Sequence, residues 1–462
     1  MQSLETLRSG GYRDLGLQKL KLAGPLSEFP SEILQLADTL EHLDLSGTGL
    51  STLPDSIGQL HKLKIAFFSD CNFKAFPKQL AQCPELEMVA FRSNGMSTIP
   101  EDALPRNLRW LILTNNRIEN LPRSVGKCAR LQKCMLAGNR LKNLPDEMSA
   151  CKKLGLLRLS ANDFNHLPPW LFKLPELAFF SVAGNPCCAI TLEHEVAQLR
   201  KVGWHDLEVE GLLGHGASGD IFKARWMLAD SVVEEVAIKL FKGEVTSDGT
   251  PLDEMSACLA AGSHKNLIST LASIDGHPEK HGLVMQLIPP HYQTLGLPPS
   301  LQTCTRDRYE DGRKLPLDNV LEILAGVAAA ALHLHGRKVS HCDFYAHNIL
   351  SNEAGHALLG DFGAATVYEN LNGLDFERLE ILAFGHLVED LLGVTGPGHL
   401  EMDKKRRTIE GLQQLLARCS TPVVEDRPRF VEVVQILEDL HWKYQHSYSH
   451  GGAKRRVSNV EG

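Results

Sequence analysis

The run Gly214-His215-Gly216-Ala217-Ser218-Gly219, followed by Ile221, has the residue types that let main-chain N–H groups close around phosphate. A dinucleotide-binding turn of the same spacing would open a helix. Here both flanks read as strands, Leu207 to Leu213 entering and Ile221 to Trp226 leaving. Twenty residues past the last glycine comes Val236-Ala237-Ile238-Lys239. Further on lie His341-Cys342-Asp343, Asn348 and Asp361-Phe362-Gly363. A lysine can neutralise phosphate, and carboxylate and amide oxygens suit a hard divalent cation. The chemistry on offer is the handling of a phosphate chain and its metal.

In this order and spacing, the motifs resemble the protein kinase family over residues 207–442. The resemblance implies an α+β bilobal fold, ATP and Mg²⁺ as cofactors, and transfer of the γ-phosphate to protein hydroxyls, serine or threonine rather than tyrosine. It assigns Lys239 to the α/β-phosphates and Glu254, in a helix expected from Leu252 to Ala261, as its ion-pair partner. Asp343 takes the part of the catalytic base, and Asn348 and Asp361 those of the metal ligands. Gly214, Gly216, Gly219 and Ile221 fall over the nucleotide; Ala237 and Leu350 would sandwich the base. Met285 stands as gatekeeper, with Leu287 beside it in the hinge. Glu380 lies where the helix that anchors the catalytic loop usually carries an aspartate, and Arg427-Pro428 matches the closing motif of the large lobe. His341 reads as a packing residue, and His333 and His335 sit at a helix end with no need of a metal.

The sequence also departs from that pattern. Cys342 replaces the arginine that normally receives an activation-loop phosphate. Tyr345 stands where serine/threonine kinases place a lysine, and His347 at the position of an arginine in some tyrosine kinases. The segment from Asp361 to Glu380 is short and lacks A-P-E, which leaves Arg427 without its usual glutamate. A Pro-rich insertion runs from Pro289 to Pro316. These departures keep two alternatives open: a pseudokinase scaffold that binds proteins, and a small-molecule phosphotransferase on the same fold.

Those residues need a scaffold, and the chain has room for more than one. Its 462 residues suggest two to three domains. With 43% hydrophobic and 23% charged residues it has the composition of a folded protein. A net charge of −8 argues against a whole-protein nucleic-acid footprint. No run of 18 apolar residues stands out, so no membrane span is expected. The eleven scattered cysteines fit reduced thiols in a cytoplasm.

Leucine is concentrated in the first 180 residues, and it is periodic. L-x-x-L-x-L or its apolar equivalent begins at Leu17, Leu40, Leu63, Leu86, Leu108, Leu131, Leu154 and Leu177, every 23 residues except one step of 22. Asparagine recurs at Asn94, Asn116, Asn139, Asn162 and Asn185, and proline at Pro30, Pro54, Pro77, Pro100, Pro122, Pro145 and Pro168. This resembles the leucine-rich repeat family and implies an α/β solenoid of about eight coils over 17–188. The expected boundaries are an N-terminal cap at 1–16, a capping helix and linker at 189–206, the kinase-like part at 207–442 and a basic tail at 443–462. In the tail, Ser458 after Lys454-Arg455-Arg456 is either a phosphate acceptor or part of a solvated basic end.

Residues between the inward leucines face the concave side. Ile65, Phe67, Met88, Trp110, Ile112 and Met135 form a contiguous apolar patch there, with Arg92 and Arg158 nearby. It is expected to bind a partner protein, centred on Trp110. The competing expectation is that it packs against the chain's own second half.

Overall fold

A computed structural model describes residues 2–188, 200–216, 218–228, 232–242, 245–246, 248–396 and 402–446. The expected capping helix, most of its linker, Ala217 and the basic tail from 447 lie outside the described residues.

The periodic half is a solenoid with one parallel sheet of eight three-residue strands. They are β1 (Lys19–Lys21), β2 (His42–Asp44), β3 (Ile65–Phe67), β4 (Met88–Ala90), β5 (Trp110–Ile112), β6 (Lys133–Met135), β7 (Leu156–Arg158) and β8 (Phe179–Ser181). The helix Leu4–Arg8 caps its start. Register follows the repeat: Trp110 pairs with Met88 on one side and Lys133 on the other. The central residue of each strand is buried at 2% exposure or less, as alternation on a strand requires. Asn116 shows why asparagine recurs. Its Nδ2 donates to Phe91 O (2.8 Å) and Leu113 O (2.9 Å), while its Oδ1 accepts from Asn94 N and Met96 N. Coil stacking would otherwise leave these main-chain groups unpaired. Six of the seven prolines immediately precede a short 3-10 helix on the outer side. Pro100 does not; it lies in the 22-residue repeat, where Glu101 and Asp102 form a turn.

The second half is bilobal. The small lobe carries a six-stranded sheet in the order Leu207–His215, Gly219–Met227, Val233–Phe241, Gly282–Gln286, Thr270–Asp275, Lys201–Gly203. The last of these was expected to be linker. Val202 is buried with Leu207 and Trp226, and Arg200 lies over the Trp226 ring at 4.4 Å, so the small lobe begins before residue 207. One apolar residue in a three-residue strand leaves no periodicity to detect. The helix Pro251–Ala261 is closed by a capping box between Thr250 and Asp253.

The large lobe is built on the helices Leu317–Gly336, Phe376–Gly393, Met402–Cys419 and Phe430–His446. Among the described residues, Leu317–Gly336 is long and apolar enough to cross a membrane by length and composition, although Asp318, Asn319 and Glu322 interrupt its apolar run. Burial accounts for that apolar length: Val320, Leu324, Val327, Ala328 and Ala331 are fully buried in the lobe's core.

The solenoid and the large lobe share a core. Phe172 and Phe180 pack on Phe376 with ring centroids 5.1 and 5.6 Å apart. Phe179 stacks on Tyr345 at 3.9 Å. The concave face is therefore an internal surface at its C-terminal strands, and a partner bound at Trp110 would share that residue with the chain's own second half. The Trp110 ring N–H donates to Cys304 Sγ, and Met135 packs against a buried cluster that joins Leu156 and Phe179 to the large lobe. Ile65, Phe67 and Ile112 are half-buried and Met88 is buried. Sequence periodicity identifies which side chains share a face, but not what covers that face.

The Pro-rich insertion acquires a place here. Leu297 and Arg308 exchange main-chain hydrogen bonds, Arg306 pairs with Glu389 and Asp390, and Cys304 meets Trp110. The loop is thus wedged between solenoid and large lobe.

Candidate active site

The glycine-rich turn joins two antiparallel strands, with Gly214 opposite Ile221 and Ile221 opposite Lys239. At Gly219 a Cβ would lie 2.6 Å from Leu240 O, so no larger residue fits without a shift. Lys239, buried, donates from Nζ to Glu254 Oε1 at 2.5 Å and lies 3.4 Å from Asp361 Oδ1. Desolvation by burial opposes the charge on Lys239, but Asp361 and Glu254 outweigh it and raise its pKa. Burial pushes Glu254 up to about 6 despite the attraction of Lys239.

That value carries a pH dependence. Glu254 is ionised above about pH 6 and neutral below. On acidification the pair that aims Lys239 is weakened, so the KM for ATP is expected to rise as pH falls from 7 to 5. Glu254→Gln should raise KM at pH 7 and remove that acid limb. Steady-state kinetics on both chains checks this; an acid limb that persists in the variant would assign it elsewhere.

The second cluster sits in the large lobe. Asn348 Nδ2 donates to Asp343 O (2.9 Å) and Asp343 Oδ2 (2.7 Å), which leaves the amide oxygen of Asn348 available as a ligand. Cys342 (φ 63°) and Asp361 (φ 59°) both adopt left-handed backbone, a cost usually met at working sites. Glu380 holds the loop from below. It accepts from Cys342 N at 2.7 Å and Ser340 Oγ at 3.1 Å, and pairs with His335 Nε2 at 2.7 Å. Its longer side chain serves where the resemblance places an aspartate. His341 is fully buried with Nε2 2.9 Å from Gly360 O, a packing role as expected. Ile221, Met285, Leu287 and Leu350 are half-buried, and Ala237 is buried and paired with Met285.

Three known families match this chain in part. Residues 207–375 match the protein tyrosine and serine/threonine kinase family. The chain carries a protein kinase domain. Residues 39–60 and 106–164 match leucine-rich repeat families, so the solenoid is one of leucine-rich repeats. An L-type lectin-domain containing receptor kinase from Arabidopsis thaliana is 27% identical over 226 residues, 48% of this chain. The chain covers about a third of that relative's length (33%).

Three residues near the catalytic loop of the kinase domain were not recognised from the sequence as part of its site. Arg158, expected beside a partner face, instead donates from Nη2 to Asp343 Oδ1, from Nη1 to Cys342 O (2.9 Å) and from Nε to Asp248 Oδ1 (2.9 Å). Asp307, in the insertion, accepts from Ala346 N and lies 2.7 Å from His347 Nδ1. Burial works against a charge on His347, but Asp307 outweighs it and raises the pKa. Nothing in the order of the residues signals Asp307 or Asp248, because Asp307 meets the loop, and Asp248 meets Arg158, only through tertiary contacts. Arg427, lacking its glutamate, donates to Thr421 O (3.1 Å), Arg378 O (3.1 Å) and Pro175 O of the solenoid (2.5 Å). Burial lowers its pKa to about 10.

The donor set fits ATP and a hard divalent cation. Lys239 is held as a buried cation between carboxylates, Asp361 and Asn348 offer oxygens, and the space at Gly219 accepts only glycine.

Proposed function

We propose that this chain is an ATP- and Mg²⁺-dependent protein kinase that phosphorylates serine or threonine in the cytoplasm, with its repeats as a regulatory or protein-recognition module. One observation carries the reading: the buried Lys239–Glu254 pair with Asp361 in reach, in the same domain as Asp343 held by Asn348. ATP and its metal supply the phosphoryl group and the charge neutralisation when bound. Glu254 directs Lys239 toward the phosphates. Asp361 and Asn348 offer the oxygens for the metal. Asp343 orients the acceptor hydroxyl and receives its proton.

Serine or threonine is supported by His347, which stands where some tyrosine kinases carry an arginine and is instead paired with Asp307. The cytoplasmic reading is supported by eleven free cysteines, ten of them buried.

The test is transfer of ³²P from ATP to a generic protein substrate and to the chain itself, with phosphoamino-acid analysis of the product. Phosphoserine or phosphothreonine is expected. Transfer confined to small molecules, or none, would refute the reading. A binding role without catalysis is the second reading, favoured by the solenoid lying over the catalytic loop; ATP binding without transfer would establish it.

A further inference from the structure

The catalytic loop lacks the arginine and lysine that the resemblance places there. Cys342, Tyr345 and His347 occupy the three positions where the resemblance places arginine or lysine. Tyr345 is committed to Phe179, and His347 to Asp307. A cation nevertheless reaches Asp343, and it comes from the other half of the chain.

Arg158 stands at the end of β7, with its side chain 2% exposed. Its three donor edges meet three different acceptors: the Asp343 carboxylate, the Cys342 carbonyl and the Asp248 carboxylate. A planar fork directs separate nitrogens at each of them in fixed geometry, whereas a lysine ammonium offers a single point charge. Asp343 is then held at both oxygens, Oδ1 by Arg158 and Oδ2 by Asn348. Each oxygen keeps a second lone pair for an acceptor hydroxyl. The Asp343 side chain is still 19% exposed, so its carboxylate is not sealed off.

The joint is not built like a lid. The Phe172, Phe180 and Phe376 rings belong to one continuous buried cluster that runs from Leu7 to Val424. Pro175 O satisfies Arg427 where a glutamate is missing. Swinging the solenoid away would expose that cluster and leave Arg427 without one of its acceptors. A contact this apolar behaves as an obligate one.

We infer that Arg158 is a positioning residue of the phosphotransfer site: the solenoid supplies the cation that fixes Asp343, in place of those absent from the catalytic loop. The inference rests on the kinase reading above and adds that the repeats are part of the catalytic unit.

The experiment uses the full chain and measures ³²P transfer to a generic protein at varied ATP. Arg158→Ala is expected to lower kcat about 10²-fold, the scale of a misplaced catalytic group, with the KM for ATP within about twofold. Added guanidinium ion should restore part of the rate. Arg158→Lys keeps a charge but not the fork. It should fall about tenfold in kcat, and it provides the test if the alanine variant does not fold. Unchanged kcat in the variants would overturn the inference. A raised kcat would also overturn it, and would mean that the solenoid holds the site shut. A wild-type chain with no transfer would overturn the kinase reading and this inference together.

Discussion

Asp343→Asn is expected to cut phosphate transfer by roughly 10²–10⁴-fold while ATP still binds. That is about 2.7–5.4 kcal/mol of barrier. The amide has nearly the shape of the carboxylate and can still accept from Arg158 through its oxygen. It cannot take up the proton of an acceptor hydroxyl, and its NH₂ group would face the Nδ2 of Asn348, which now donates to Asp343 Oδ2. Lys239, Glu254 and Asp361 are untouched, so nucleotide affinity should change little. Transfer at saturating ATP and nucleotide binding by calorimetry, on both chains, separate the two effects. Equal rates in wild type and variant would end the assignment of Asp343.

Phe376→Ala is expected to cost about 3–5 kcal/mol, the range for removing a large buried aromatic. Phe376 is 2% exposed and touches both halves of the molecule: Phe172 and Phe180 on the solenoid, Tyr368 on the large lobe at 4.9 Å. Its loss leaves a cavity at the joint itself. In urea the wild-type chain should unfold in one transition, followed equally by solenoid and kinase-domain probes. The variant should show lower stability and transitions that separate. A loss under about 1 kcal/mol would mean that the joint is soft enough to collapse around the cavity.

Both expectations depend on contacts between residues far apart in the chain, and this is where sequence and structure part company. The repeat was legible because each coil repeats the same demand. A leucine every second strand position must be buried, and an asparagine must satisfy the turn. The expected concave columns are the observed strand registers, Ile65 beside Met88 and Met88 beside Trp110. The kinase motifs were legible because phosphate chemistry demands particular groups at particular points: glycine under a close main chain, lysine for charge, oxygens for metal. The Lys239–Glu254 pair was implied by the resemblance, and the structure brings the two within 2.5 Å.

The joint between the halves could not be read this way. Met88, Trp110 and Met135 were visible as an apolar face, but an apolar face looks the same whether a foreign protein or the chain's own lobe covers it. Arg158 was one charge among 48 lysines and arginines. Its meaning lies in three acceptors, two of them about 185 positions away. The sequence by itself determined the two architectures and the phosphate-handling residues, because periodicity and local chemistry are written along the chain. Only the tertiary structure decided that the solenoid closes over the catalytic loop and lends it a cation, because that depends on shape and charge complementarity between surfaces that share no local pattern.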